Sequence, residues 1–306
     1  MDFFVTLNQI LILFILLLVG FVIRKLKIVD DTFSKNLSNF LFNIVFPAMI
    51  IHSMNYPFSI DVLIDSGWLI MISMGIIIFS IVVSEITIKL LKVDALSRNI
   101  YQFGIVFSNF GFMGFPVVES IFGKEGVFYA SIFAIPIYFM INSIGIMMIE
   151  RGEENTVQMN FKNVVNAPII AVFIGFFIFI FSVKLPTPIE STIDMVAATT
   201  TPMSMILAGI ILANSKFSEL FSNYKVYIVS FIRLIFLPLC MLLFLKLFNF
   251  DLLMVGIPVI ITAMPIAANA SMLAEKYGGN AYLGAQSVFI STLLSILTIP
   301  MIAYLL

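Results

Sequence analysis

The chain has 306 residues, of which 61% are hydrophobic and only 11% are charged, with a formal net charge of −1 and a mean hydropathy of +1.13. A soluble domain of this size could not bury so much apolar surface, so the composition predicts an all-α polytopic membrane protein. The near-neutral charge gives no reason to expect a nucleic-acid partner. The partners expected are a lipid bilayer and a small solute.

Ten apolar segments are each long enough to cross a bilayer, which takes about 20 residues. They are expected at residues 3–23, 33–54, 67–91, 98–122, 126–149, 164–183, 190–213, 225–247, 254–276 and 281–304. The longest polar connection lies near the middle of the chain. The predicted organisation is therefore a first five-helix repeat over residues 1–150, a short cytoplasmic linker over 151–163 and a second five-helix repeat over 164–306.

Lys and Arg residues in the loops predict the orientation. The connections assigned to the cytoplasmic side carry twelve of them, and those assigned to the outside carry three. Asp2 precedes the first apolar core and the basic residues Arg24, Lys25 and Lys27 follow it, which favours a spanning helix over a signal peptide. A multi-pass protein of the plasma (inner) membrane is expected, with both termini outside.

The two halves share features at a constant offset. Pro47 and Pro202 are 155 residues apart, and so are Gly123 and Gly278. Because each half would contain an odd number of spans, the second half would enter the membrane from the opposite side. The sequence thus predicts two inverted repeats, an architecture found in many secondary transporters.

The fourth and ninth segments contain helix-breaking residues at their centres. Residues 108–116 include an Asn, two Gly and a Pro, and residues 263–271 include Pro265 and Asn269. Gly weakens a helix and Pro removes a backbone hydrogen bond, and irregular backbone at membrane depth has to line a cavity or lie inside protein. Broken helices in corresponding positions of two halves indicate the substrate site of a transporter.

Inversion has an electrostatic consequence at these breaks. The half-helix after each break would begin near the midplane, so two N-termini, each worth about half a positive charge, would converge. Such a place suits an anion, for example a carboxylate. The predicted substrate-binding residues are Asn109, Gly111, Gly114, Pro116, Pro265, Asn269, Ser271, Asn142 and Gln286. Of these, Asn142 and Gln286 could equally join helices to each other.

Charged residues within the segments have two interpretations. Arg233 and Glu85 lie at similar depth in the eighth and third segments, so they could form a charge pair, or Arg233 could contact the anion. Glu119 and Glu275 are expected to be solvated, with a coupling-ion role as the alternative. We expect His52 to be hydrogen-bonded at a helix interface rather than to relay protons.

The sequence contains no HExxH, GxSxG or P-loop motif. No enzymatic activity, cofactor or metal site is predicted, and ATP would not drive transport directly within this chain. The predicted function is a secondary transporter for a small organic anion, a carboxylate or dicarboxylate. The alternatives are a passive anion channel and a non-transporting membrane receptor.

Four motifs together resemble the auxin efflux carrier family, which includes plant auxin exporters and bacterial permeases for malate- or malonate-like acids. They are Phe46-Pro47 with His52, N-x-x-x-M-G-x-P from Asn109 to Pro116, R-x-x-x-x-P from Arg233 to Pro238, and Ala263-Met264-Pro265 with Ala274-Glu275-Lys276-Tyr277. Plant exporters often have Pro before the fourth-segment Asn, where this chain has Ser108.

The resemblance implies an elevator-type carrier for organic anions. Spans 1, 2, 6 and 7 would form a scaffold that joins two copies into a homodimer. Spans 3–5 and 8–10 would form the moving transport domain, in which broken helices 4 and 9 cross at the substrate site.

Overall fold

The computed structural model of the chain describes residues 3–55, 58–150, 166–213, 223–268, 270, 273–274 and 280–306. All regular elements in these residues are helices, as the composition predicted. In chain order they are α1 (Phe3–Lys25), α2 (Asp31–Met54), α3 (Ile60–Leu90), α4 (Ala95–Val106), α5 (Phe110–Met140), α6 (Ile146–Glu150), α7 (Ala167–Phe181), α8 (Thr187–Ala213), α9 (Tyr224–Leu245), α10 (Leu252–Thr262) and α11 (Ala281–Leu305).

Five of the described helices, α2, α3, α8, α9 and α11, are each long and apolar enough to cross a membrane. A sixth candidate is α5 together with the helix that follows it, which are bent by 44°. Shorter apolar helices, α7 and α10, add to these. The protein is therefore a multi-pass helical membrane protein, while the count of ten spans and the inverted repeat stay predictions.

Polar side chains at the helix starts explain where several helices begin. Asp30, Ser59, Asp94 and Asp251 each accept a hydrogen bond from a backbone N–H in the first turn of α2, α3, α4 and α10. Such a cap satisfies one of the four N–H groups that a helix leaves without a partner at its start. These helices are thus bounded by short polar loops.

Three helices contain a widened π turn just before a proline. The turns are Leu41–Val45 in α2, Phe110–Gly114 in α5 and Ile232–Phe236 in α9, and Pro47, Pro116 and Pro238 follow two residues later. Proline has no N–H and its ring collides with the carbonyl four residues earlier. The extra residue in the turn moves that carbonyl, so the helix continues past the proline.

The helices pack into two groups. Group A consists of α1, α2, α7 and α8, in which α1 packs along α8, and α2 packs against α7 and α8. Group B consists of α3 to α6 and α9 to α11, in which α3 packs against α4 and α5, and α10 packs against α5 and α9. The groups meet where α11 contacts α1 and where α5 contacts α1, α2 and α8. The family resemblance assigns the same helices to scaffold and transport domain, and that assignment stays a prediction.

Two glycines allow the backbones of α1 and α8 to touch. A Cβ atom on Gly20 would lie 2.0 Å from the carbonyl oxygen of Ile206, and one on Gly209 would lie 1.8 Å from the carbonyl oxygen of Leu17. No side chain fits at either position, and small residues commonly permit such close contact between membrane helices. Group A is therefore held partly by direct backbone contact.

Candidate functional site

The two predicted breaks meet at the centre of group B. The chain is not helical between the end of α4 and the start of α5, nor directly after α10. The N–H of Asn109 donates to the carbonyl of Pro265 at 2.7 Å, and the N–H of Ala267 donates to the carbonyl of Phe107 at 3.1 Å. These bonds form an antiparallel bridge between Ser108 and Ile266. Each break thereby satisfies backbone groups of the other, as a buried irregular segment requires.

A serine of α11 anchors this crossing. The N–H of Ile266 donates to the hydroxyl oxygen of Ser291 at 3.1 Å, and the Ser291 hydroxyl donates to the carbonyl of Val288 at 3.1 Å. Ser291 is fully buried. The second break is thus connected both to the first break and to α11.

Arg233 lies beneath the crossing and binds both helix ends. Its Nε donates to the carbonyl of Met264 at 3.2 Å, and its Nη1 donates to the carbonyls of Ile105 and Val106 at 2.9 and 3.3 Å. The side chain is only 3% exposed. A helix C-terminus carries about half a negative charge, so two of them balance one guanidinium. Arg233 therefore neutralises the C-terminal ends of α4 and α10.

The predicted pair between Arg233 and Glu85 does not form. Glu85 instead accepts hydrogen bonds from Arg98 at 2.8 Å and from Gln102 at 2.5 Å. Both partners lie on α4, the neighbour of α3, while Arg233 is occupied by carbonyl groups that have no charge of their own. The similar depth of Arg233 and Glu85 in their segments could not distinguish a pair between them from separate partners. Every residue has a backbone carbonyl, so the sequence does not show which carbonyls Arg233 binds.

A cavity of about 100 Å³ opens beside the crossing. Its wall combines the break residues with aromatic rings from two helices, α2 and α5. The lining residues are Phe42, Phe46, Ser108, Asn109, Phe110, Gly111, Phe112, Tyr138, Ile141, Ala267 and Ala268. None of them is charged, so the polar groups offered to a ligand are neutral side chains and backbone.

The start of α5 faces this cavity without a side-chain cap. Asn109 occupies the capping position, but its side-chain amide makes no hydrogen bond to a described residue, although Asn109 is only 4% exposed. The carbonyl of Asn109 accepts the N–H of Met113 and of Gly114. The N–H groups of the three residues between, 110–112, have no acceptor among the described residues. An amide and a free helix N-terminus are groups that bind a carboxylate.

A family model described as "Membrane transport protein" matches residues 5–303. The chain belongs to this family, the auxin efflux carriers. An uncharacterised transporter of Methanothermobacter thermautotrophicus is 25% identical over 297 residues, which cover 96% of each chain. An uncharacterised transporter of Methanocaldococcus jannaschii is 23% identical over 318 residues, or 99% of each chain. Membership confirms the resemblance and identifies a family of membrane transport proteins.

The other residues that were predicted to bind substrate lie in different places in this auxin efflux carrier. Gly111 lines the cavity, but a Cβ on Gly114 would meet the side chain of Ile261 at 3.1 Å, so Gly114 permits packing between α5 and α10. Pro116 is buried in α5 beyond the π turn. Pro265 contributes its carbonyl to the crossing rather than a cavity wall. Gln286 is buried in α11.

Some predictions concern residues outside the described part of the chain. Asn269, Ser271 and Glu275 fall there, and the side chain of Asn142 is likewise not described. Glu119, which we expected to be solvated, is partly buried and accepts a hydrogen bond from the Thr201 hydroxyl at 2.6 Å. Within the described ranges, no group of three His, Cys, Asp or Glu residues could hold a metal ion.

Sequence reasoning missed the aromatic part of the cavity. Phe42 and Phe46 come from α2 in group A, and Tyr138 comes from the far end of α5. The rings form edge contacts, with centroids 4.8 Å apart for Phe110 and Tyr138 and 6.4 Å apart for Phe42 and Tyr138. The sequence did contain a clue to Phe46, because this residue directly precedes Pro47 in the second-span motif. The chain contains too many phenylalanines, 33, for composition to identify the others.

Proposed function

We propose that the protein is a secondary transporter that carries a small organic anion, bound in the cavity beside the crossing. One observation carries this proposal: the uncapped N-terminus of α5 and the amide of Asn109 face a cavity inside a multi-pass membrane transport protein. An uncapped helix start at the end of a broken helix is a binding site for a carboxylate. The relatives' names as transporters agree with a transport role.

Arg233 supports the proposal indirectly. Where two broken helices cross, positive N-termini and negative C-termini come close together, and their fields would cancel. Because the guanidinium already balances the C-terminal ends of α4 and α10, the positive end of α5 remains to attract an anion. Arg233 is thus a positioning residue for the site and not a substrate contact.

The cavity wall favours a monocarboxylate with an apolar body over a dicarboxylate. Five aromatic rings and no charged side chain line the described wall. A second carboxylate would lose its hydration without gaining a cation, and burying an unpaired charge is costly. Asn269 and Ser271, if they belong to the wall, would add only neutral groups.

The proposal includes an elevator mechanism and ten spans in two inverted repeats. The described helices overlap all ten predicted segments, and groups A and B divide the helices as an elevator needs. Group A is proposed to join two copies, because α7 exposes Phe173, Phe177 and Phe181 along one face. Both termini would lie outside the plasma membrane, according to the distribution of Lys and Arg.

The test uses the full chain reconstituted in liposomes. We expect saturable uptake of a labelled monocarboxylate, with counterflow when the unlabelled acid is inside. A passive channel would instead give a non-saturating conductance, and a receptor would bind without flux. A thermal-shift series of mono- and dicarboxylates would rank the ligands, since a ligand at 100 times its Kd stabilises by about 2.7 kcal/mol. A larger shift with dicarboxylates would contradict the preference for a single charge.

A further inference from the structure

A second concave surface lies on group B, away from the crossing. It is a groove of about 430 Å³ between α3 and α9, and none of its lining residues is charged. Its α3 wall includes Trp68, Met71, Gly75 and Phe79. These positions recur every three or four residues, so they lie on one face of the helix.

The α9 wall has the same character. Cys240 and Phe244, four residues apart on α9, line the groove from the other side, and Phe248, in the turn after the helix, continues this wall. Phe244 is 53% exposed and Met71 of the α3 wall is 64% exposed. Both helices are long and apolar enough to cross a membrane. Large apolar side chains around a concavity at membrane depth require an apolar occupant, because no polar solvent wets them there.

The length and the ends of the groove identify that occupant. From Trp68 to Phe79, α3 rises about 16 Å at 1.5 Å per residue, close to the roughly 15 Å of half a hydrocarbon core. At one end the rings of Trp68 and Phe250 pack with centroids 5.9 Å apart. Tryptophan concentrates at membrane interfaces. Charged residues of both signs, Asp65, Lys246 and Asp251, lie near this end in the chain, as a zwitterionic headgroup needs.

We propose that the groove between α3 and α9 is a binding site for one acyl chain of a bilayer phospholipid. The chain lies between the aromatic walls, and the headgroup lies at the Trp68 end. Aromatic and methionine side chains adapt to a flexible chain of methylene groups. The site differs from the anion cavity in position, polarity and ligand, and it holds whether or not the transported solute is a carboxylate.

The protein contains its own probes of this site. Trp68 is the single tryptophan and Cys240 the single cysteine of the chain, and both line the groove. Phosphatidylethanolamine with dibrominated acyl chains, titrated into the full-length protein in detergent, should quench Trp68 on contact. We expect saturable quenching that excess lipid without bromine reverses.

Two glycine substitutions on α3 distinguish lipid binding in the groove from lipid binding elsewhere on the protein surface. A Cβ atom at Gly75 or at Gly67 would meet nothing within 4 Å, so neither position resists a larger residue. Gly75 lines the groove and Gly67 does not. Gly75→Phe should therefore raise the lipid concentration for half-maximal quenching at least fivefold, whereas Gly67→Phe should change it less than twofold.

Three results would overturn the proposal. Quenching that rises linearly without saturation would indicate partition into the micelle alone. An equal loss in both glycine variants would indicate that the groove is not the site. Efficient oxidative cross-linking through Cys240 would identify a second copy of the chain as the occupant. Saturable quenching without that cross-link, lost only in Gly75→Phe, would support the lipid site.

Discussion

Polar side chains link the helices within group A and within group B, and the two sets of links differ in position and burial. In the described part of group A, side-chain links between helices lie at one end, where Asn55 bonds Glu190 at 2.7 Å and His52 pairs with Asp194. Group B has such links at its centre, where Arg233 and Ser291 hold the crossing, and also elsewhere, as between Glu85 and Arg98 and between Asn99 and Ile149. The side chains of His52 and Asp194 are 29% and 46% exposed, against 3% for Arg233.

This difference concerns free energy as well as position. Exposed ion pairs contribute about 0 to 1 kcal/mol to stability, whereas each buried hydrogen bond to a charged group contributes about 1.5–3 kcal/mol. Group A therefore relies on apolar packing and backbone contact, as at Gly20 and Gly209. Group B depends on a few buried polar groups, and small changes there should have large effects.

Substitution of Arg233 should produce the largest effect. Arg233→Met removes three hydrogen bonds and the balancing charge. We expect the free energy of unfolding to fall by about 3–5 kcal/mol and ligand binding to be lost. Arg233→Lys keeps the charge without the planar guanidinium, so its loss should be intermediate. Thermal and denaturant unfolding of the detergent-solubilised protein would measure these changes.

The matched control for Arg233→Met lies in group A. Asp194→Asn removes the charge of a partly exposed pair and should cost less than about 1 kcal/mol. If the two variants lost similar stability, the contrast between a buried centre in group B and a partly exposed end in group A would be wrong.

Substitution of Asn109 should affect ligand binding more than stability. Its amide bonds no described residue, so Asn109→Ala should change the free energy of unfolding by less than about 1 kcal/mol. Loss of a buried bond to a carboxylate costs about 1.5–3 kcal/mol, which is roughly a tenfold to hundredfold weaker Kd. Ligand titration by thermal shift would measure it.

Asn99 provides the control for Asn109 within group B. Its amide donates to the carbonyl of Ile149 at 3.3 Å, away from the cavity. Asn99→Ala should lower stability by about 1 kcal/mol and leave the Kd unchanged. Unchanged binding in a folded Asn109→Ala protein would remove Asn109 from the proposed site.

The smallest expected effect concerns a link between the groups. The Thr201 hydroxyl on α8 of group A donates to Glu119 on α5 of group B. If group B moves against group A, this bond exists in only one state. Thr201→Val should then shift the equilibrium between the two positions of group B by about 0.5–1.5 kcal/mol. This is a change of roughly twofold to tenfold in apparent affinity or transport rate. Uptake into liposomes would report it.

Thr192 provides the control for Thr201, because its hydroxyl makes no bond between the two groups. Its hydroxyl donates to the carbonyl of Pro188 in the same helix at 2.7 Å. Thr192→Val should leave transport within experimental error. Equal transport by Thr201→Val and the unmodified protein would argue against relative motion of the groups at this contact.

The sequence predicted the breaks because Gly, Asn and Pro act locally on the backbone. It left the exact position of the first break within residues 108–116 open, and the chain becomes helical again at Phe110, with a π turn that accommodates Pro116. Contacts between residues that are far apart in the chain were harder to predict from the sequence. The acceptors of Arg233 are backbone carbonyls that every residue carries, and the aromatic wall draws on Phe42 and Tyr138, which are far apart in the chain. Local chemistry is encoded in short motifs, whereas those partners depend on the completed fold.

The glycine contact between α1 and α8 also constrains how the protein is made. Gly20 and Gly209 are 189 residues apart (209 − 20), and their helices touch backbone to backbone. At about 5–20 residues per second, a ribosome needs about 10–40 s to reach the second glycine after the first. During that interval α1 cannot bury its contact face against its native partner. The contact between α1 and α8 thus forms only after most of the chain has been made.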